Sequence, residues 1–308
     1  MTIDVIEAQQ AALRALYAAH VGRGDRYALV DFPDHANVGD SAIWLGEVAM
    51  LRAVTGNDPD YVCTWDGFDP DAFARASPHG VVFLHGGGNL GDIWPHHQLF
   101  RERMVAQVRD RRIVQLPQSI HFRAPGGIAA FAKGVAAHPD LHLYVRDRPS
   151  LELAERHFDC PVALAPDSAF ALGRQPRGAA DCDVLRLLRT DDERIAHDDL
   201  PRGEGRIVTT DWLEDGVLPA SRPGQARADH YAALAGARVA RGLALLSRGR
   251  HIVTDRLHAH ILALLLDIPH HVLDNDYGKL ARYIDAWTAA SPLIRDRATT
   301  TSAGAALA

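Results

Sequence analysis

Ile252-Val-Thr-Asp-Arg-Leu-His-Ala-His-Ile-Leu-Ala-Leu-Leu-Leu-Asp-Ile-Pro269 is the stretch whose reading decides the fold. Residues 251–254 are β-rich and feed directly into Asp255-Arg256-Leu257-His258, and an apolar helical run, Ile261–Leu266, follows at once. A strand-to-helix junction carrying an arginine and a histidine sits where open α/β sheets place their ligand chemistry. Arginine is a permanent cation suited to carboxylate or phosphate, and histidine can move a proton near neutral pH. The pair points to an anionic substrate and to acid/base work on it.

The same strand-then-helix rhythm runs outward from this junction. In the first half, strands are expected at 27–32, 81–85, 112–116, 141–145 and 162–165. Helices are expected between them at 41–54, 98–110, 127–137 and 150–157. A second cycle follows, with strands at 184–188, 206–210, 251–254 and 271–273 and a long Ala/Leu-rich helix at 226–247. Alternation of this kind gives βαβ units on a mostly parallel sheet. The Gly/Pro-rich stretch Gly173-Arg-Gln-Pro-Arg-Gly-Ala-Ala-Asp181 is taken as a linker. The expected organisation is an N-terminal Rossmann-like domain over 1–172, a C-terminal Rossmann-like domain over 173–296 and a disordered tail over 297–308. Two such α/β domains facing each other would leave a cleft between the carboxyl ends of their strands.

Composition narrows the function. The chain has 308 residues, 47% hydrophobic and 23% charged, with a net charge of -6. That charge argues against a general nucleic-acid binder. Cys63, Cys160 and Cys182 are too widely spaced for a zinc site or a disulfide framework. The N-terminus has no basic n-region of a signal peptide, and the longest apolar run is too short to span a bilayer. A cytoplasmic protein is expected, and a peripheral place on the cytoplasmic face of the membrane is compatible with this. His258 and His260 project about 200° apart on a helix, so no metal site is expected and His260 reads as a packed histidine.

Four further motifs lie at strand ends. Asn37-Val-Gly-Asp40 precedes a helix that Asp40 or Ser41 can cap. His85-Gly-Gly-Gly-Asn89 reads as a turn whose bare N–H groups can cradle an anion. Gly86, Gly88 and Gly91 match G-x-G-x-x-G, but in the middle of the sheet rather than in the first βα unit, which weighs against a dinucleotide site. Val145-Arg-Asp147 ends a strand, with Ser150 as a helix cap and a surface Arg146–Asp147 pair as the plain structural alternative. Arg189-Thr-Asp191 ends the first strand of the second half.

Taken in order, these motifs, with Asp167-Ser168, Thr254-Asp-Arg-Leu-His258 and Leu273-Asp-Asn-Asp-Tyr-Gly-Lys279, resemble the polysaccharide pyruvyl transferase family over about residues 27–288. Ala259 departs from the glycine found in many relatives, and Asp276 departs within the final motif. The resemblance implies that the two-domain α/β architecture is GT-B-like. It also implies transfer of the pyruvyl unit of phosphoenolpyruvate onto two sugar hydroxyls, giving a cyclic ketal and phosphate. Phosphoenolpyruvate is then a co-substrate, and no cofactor or metal is required. The acceptor would be a glycan or a lipid-linked oligosaccharide of exopolysaccharide or cell-envelope biosynthesis.

On this resemblance Arg146, Arg256 and His258 belong to the donor site, with Leu257 beside them and Gly86, Gly87, Gly88 and Asn89 as further donor-binding positions. Asp40 joins His258 as a catalytic candidate. Asn37, Arg189, Asp255, Asn275 and Tyr277 are expected at the acceptor or along the cleft. The residues agree with this chemistry: two arginines can bind a carboxylate and a phosphate bidentately, and a histidine can protonate the vinyl carbon. The competing readings are a GT-B glycosyltransferase with a nucleotide-sugar donor, a non-catalytic glycan-binding relative, and a dinucleotide oxidoreductase.

Overall fold

A computed structural model of the chain describes residues 4–191, 195, 200, 205–274 and 278–295. The expected tail at 297–308 lies outside them, as do Asn275, Asp276 and Tyr277. By contact the chain divides into two units, 1–173 with 213–241, and 174–212 with 242–308. The segment 213–241, placed by sequence in the C-terminal half, therefore groups with the first unit.

The first unit is built on a parallel sheet. Its strands are β1 (Tyr27–Val30), β2 (Tyr61–Cys63), β3 (Val81–Leu84), β4 (Gly87–Gly91), β5 (Ile113–His121), β6 (Leu141–Val145) and β7 (Val162–Leu164). They lie in the order β2-β1-β3-β5-β6-β7, with β4 pairing only β5. Helices alternate with them: α1 (Val5–Ala18), α2 (Val38–Thr55), α3 (Pro70–Ala76), α4 (Pro95–Gln107), α5 (Pro125–Ala137) and α6 (Arg148–His157).

Both faces of this sheet are covered, which is why β1 and β3 read as continuous apolar runs. Ala28, Val30, Val82 and Leu84 join a buried cluster with Phe100 and Met104 of α4, Phe131 of α5 and Phe158. The alternate residues point the other way: the Phe83 ring lies 6.0 Å from Tyr17 of α1 and 6.1 Å from Tyr27.

The second unit carries its own parallel sheet, in the order β12-β11-β10-β8-β9. The strands are β8 (Cys182–Leu187), β9 (Ile207–Thr210), β10 (Gly249–Thr254), β11 (His270–Val272) and β12 (Ile294–Arg295). Helix α7 (Arg227–Ser247), whose residues up to 241 group with the first unit, precedes β10, and α8 (Leu257–Leu265) follows it. Every residue of α8 is buried, as expected of a helix that is apolar all round. His260 is one of them, as its sequence context suggested. Its Nε2 meets Thr288 Oγ1 at 2.9 Å and its Nδ1 meets His270 Nε2 at 2.8 Å. No helix among the described residues is long and apolar enough to cross a membrane.

Candidate active site

In the first unit the polar residues gather where β1, β3, β5 and β6 end. Helix α2 starts three residues earlier than expected, and Asn37 caps it rather than Asp40 or Ser41. The Asn37 side chain accepts from Gly39 N and donates from Nδ2 to Asp40 Oδ2 at 2.8 Å, which fixes the Asp40 carboxylate at the helix start. The His85–Asn89 stretch is likewise different from its expected form. Gly87–Gly91 is a strand rather than an anion-cradling turn, in register with residues 118–121 of β5.

The glycines make that pairing possible. A Cβ at Gly91 would fall 1.8 Å from His121 O, and one at Gly86 would fall 2.8 Å from Pro117 O and 3.1 Å from Glu47 Oε1. A Cβ at Gly87 would lie 3.7 Å from Asp40 Oδ1, so the start of β4 and the start of α2 are neighbours. Gly88 and Asn89 are half-buried. Backbone N–H groups expected for an anion are in part already committed: Gly86 N donates to Glu47 Oε1 and Asn89 N to Gln118 Oε1.

Several residues without a place in the sequence reading hold this region together. Buried Glu47 accepts from His85 Nδ1 at 2.7 Å, while His85 Nε2 is buried with no hydrogen-bond partner among the described residues. Burial disfavours the His85 imidazolium, and the adjacent Glu47 carboxylate outweighs that and raises it. Asp31, held at φ 73, accepts from His97 Nδ1 at 2.8 Å. Buried Arg101 donates to Gln115 Oε1, Gln98 Oε1 and Asn89 Oδ1. Asn89 Oδ1 also accepts from Gln118 Nε2.

Arg146 follows β6 and is 1% exposed. It does not form the surface pair with Asp147 offered as the structural alternative. Its Nη1 bonds Asp167 Oδ2 at 2.5 Å and its Nε donates to Ser119 Oγ at 3.0 Å. Asp147, rather than Ser150, caps α6, and Ser150 Oγ accepts from Ile120 N.

In the second unit Arg189, Asp255, Arg256, Leu257 and His258 come together at the ends of β8 and β10. Arg256 occupies the cap position of α8 without a side-chain cap bond, and Leu257 and His258 form the first turn. Arg256 N donates to Thr254 Oγ1 at 3.1 Å, and the helix N-terminus turns a partial positive charge toward an anion. The Arg256 guanidinium is held from one edge, with Nε to Asp211 Oδ1 and Nη2 to Asp211 Oδ2, both 2.6 Å. Arg189 Nε bonds Asp191 Oδ1 at 2.8 Å, and Arg189 N donates to Asp255 Oδ1 at 2.9 Å. Burial pushes the Asp191 carboxyl up, and the Arg189 and Arg256 guanidinia outweigh it and hold it below the usual carboxylate range.

The first sheet thus ends in buried Arg146, held by Asp167, and the second in buried Arg256, held by Asp211 and Asp191, on an α/β fold. A family model described as polysaccharide pyruvyl transferase matches residues 37–277. Pyruvyl transferase 1 of Schizosaccharomyces pombe is 33% identical over 306 residues, covering 90% of this chain and 74% of its own length. EpsO of Bacillus subtilis is 29% identical over 290 residues, 86% of each chain. A crystal structure of an uncharacterized Klebsiella pneumoniae protein aligns with a TM-score of 0.58 at 19% identity, covering 96% of this chain and all of that one, and shares the fold. The chain belongs to the polysaccharide pyruvyl transferase family and is an enzyme of that kind.

Proposed function

We propose that this enzyme uses phosphoenolpyruvate as donor and builds a cyclic pyruvate ketal on two hydroxyls of a sugar. The acceptor would be a polysaccharide or its lipid-linked precursor, met in the cytoplasm or at the cytoplasmic face of the membrane. The observation that carries this reading is Arg256-Leu257-His258 at the uncapped start of α8. A permanent cation and an acid/base side chain meet there within three residues, at a helix N-terminus whose dipole favours an anion. Arg146, oriented by Asp167 and Ser119, would supply the second cation. A GT-B-like fold belongs to this reading.

The steps follow from the donor's chemistry. His258 would protonate the vinyl carbon, C3, leaving an oxocarbenium-like C2 that the first sugar hydroxyl attacks. Asp40, held by Asn37, would orient that hydroxyl or accept its proton. The second hydroxyl then displaces phosphate from C2, closing the ketal. General acid/base assistance is worth roughly 10² to 10⁴ in rate. Asn275 and Tyr277, Arg189 and Asp255 remain candidates for the acceptor side. Asp255 is already engaged by the Arg189 backbone.

The test combines binding and turnover. Phosphoenolpyruvate at about 100 times its Kd should add about 2.7 kcal/mol of stability, and Arg256→Ala should abolish that gain. His258→Gln should keep the stabilisation and lose phosphate release by at least a hundredfold. Wild-type turnover in His258→Gln would remove the acid/base role. Stabilisation by a nucleotide-sugar in place of phosphoenolpyruvate would move the assignment to a glycosyltransferase.

A further inference from the structure

We propose that Asp211 is the positioning residue for Arg256 and restricts which edge of that guanidinium reaches the donor. The inference rests on the phosphoenolpyruvate reading above and deepens it. Asp211 follows β9, a strand that carries none of the recognised motifs. Its side chain is 8% exposed and that of Arg256 is 3%. Besides the two bonds from Arg256, its carboxylate accepts from Thr190 N at 2.9 Å, Thr190 Oγ1 at 2.7 Å and Trp212 N at 2.8 Å. A carboxylate fixed on so many sides cannot turn away when a ligand arrives, so the guanidinium it holds is fixed as well.

The donor count on Arg256 gives the consequence. A guanidinium has five N–H groups. Asp211 takes Nε–H and one N–H of Nη2, and Asp191 Oδ2 takes the other at 3.1 Å. The two N–H groups of Nη1 bond no described residue. The side-on edge usually used for a carboxylate or phosphate is therefore occupied by protein. Arg256 meets the donor end-on, through Nη1, beside the first-turn N–H groups of α8. Arg→Lys at this position keeps the charge and loses the whole arrangement, because an ammonium has no fork for Asp211 to grip.

A competing role would have the opposite sign: if Asp211 were only a counter-ion that the donor must displace, removing its charge would strengthen donor binding. The experiment uses the full-length wild type, Asp211→Asn, Arg256→Lys and the double variant, reading phosphoenolpyruvate-induced stabilisation and steady-state kinetics. Asp211→Asn should lower kcat/KM for phosphoenolpyruvate about 10- to 100-fold, as loss of an orienting partner does elsewhere. In the Arg256→Lys background it should add nothing, since both act through one group. Thr190→Val, which keeps the ion pair but removes one restraint on Asp211, should fall several-fold in the same direction.

A donor-independent readout separates the two ideas. The Arg256 Hε resonance in ¹⁵N-labelled protein, identified by its loss in Arg256→Lys, should be sharp in wild type and broadened or lost in Asp211→Asn. Unchanged or improved kcat/KM in Asp211→Asn, additive losses in the double variant, or an Arg256 Hε that ignores Asp211 would each overturn the positioning role. A sharp, Asp211-dependent signal in a protein that phosphoenolpyruvate does not stabilise would keep the clamp and instead remove the donor reading.

Discussion

The Glu47 carboxylate accepts a hydrogen bond from His85 Nδ1 at 2.7 Å, and both side chains are almost wholly out of solvent. The same carboxylate takes Gly86 N at 2.8 Å, so one buried group on α2 fastens the end of β3 to the start of β4. Breaking a buried charged pair from one side leaves the other group uncompensated. Glu47→Gln should therefore cost about 3 kcal/mol in denaturant unfolding. A loss under about 0.5 kcal/mol, the range of an ordinary surface change, would show that the pair holds nothing together.

Glycine substitutions should separate by position. Gly91 sits at φ +134 with His121 O 1.8 Å from a would-be Cβ, so Gly91→Ala should destabilise by about 3 kcal/mol or more. Gly126, in the first turn of α5, has nothing within 4 Å of its would-be Cβ. Gly126→Ala should lie within about 0.5 kcal/mol of wild type or be stabilising by up to about 1. Equal midpoints for the two variants in urea would contradict the close approach of β4 to β5.

Arg146→Lys keeps a positive charge but cannot span Asp167 and Ser119 at once. We expect roughly a hundredfold loss in kcat/KM, with a drop of about 1–3 kcal/mol in stability from the under-satisfied Asp167. Activity within a factor of two of wild type, measured as phosphate release, would show that the forked geometry is irrelevant.

A neutral chain of hydrogen bonds threads the second unit and sets an acid limit. His270 Nδ1 donates to Ile268 O at 2.8 Å, which leaves its Nε2 to accept from His260 Nδ1, and His260 Nε2 accepts from Thr288. Burial lowers His270 to about 4 and holds His260 well below its ordinary value. Both folded values lie below the unfolded one, so the unfolded chain binds more protons in acid. Stability is fully present above about pH 6.5 and is lost as pH falls toward about 4. For His270 alone the loss between pH 7.5 and 5 is on the order of 2 kcal/mol. Urea unfolding at the two pH values checks this, and His270→Gln should flatten the dependence.

The strands β1, β3, β6, β8 and β10 were legible because buried parallel strands are short apolar runs between polar breaks, and the more exposed edge strand β9 was legible from its β-branched Ile-Val-Thr-Thr. Helix α1 was not among the expected elements, although Asp4 caps it and Leu13, Leu16 and Tyr17 lie on one buried face. β4 could not be read. Gly-Gly-Asn-Leu-Gly has no intrinsic strand preference, and its strand form comes from pairing with β5. That part of β5 was itself hidden behind Pro117, which in sequence marks a strand's end.

The motif residues at the site were visible as unusual polar groups after apolar runs, whereas Gln118-Ser119, placed the same way just beyond Leu116, was not singled out. Glu47 and Asp211 were not visible. An isolated acid in a helix or after a strand looks like any solvated charge, and only the fold shows the His85 or Arg256 it faces.

Arg101 has one consequence that a count of exposed residues would miss. It is 2% exposed, its bonds run to amide oxygens, and no described carboxylate is in ion-pair contact with it. Burial lowers it only to about 10, so it stays charged at neutral pH. A cation wrapped in amides rather than matched by an acid keeps its field, and low-dielectric surroundings screen that field poorly. Arg101 thus contributes a fixed positive charge beneath Asn89, one that Asp31 and Glu102 offset in part without touching it.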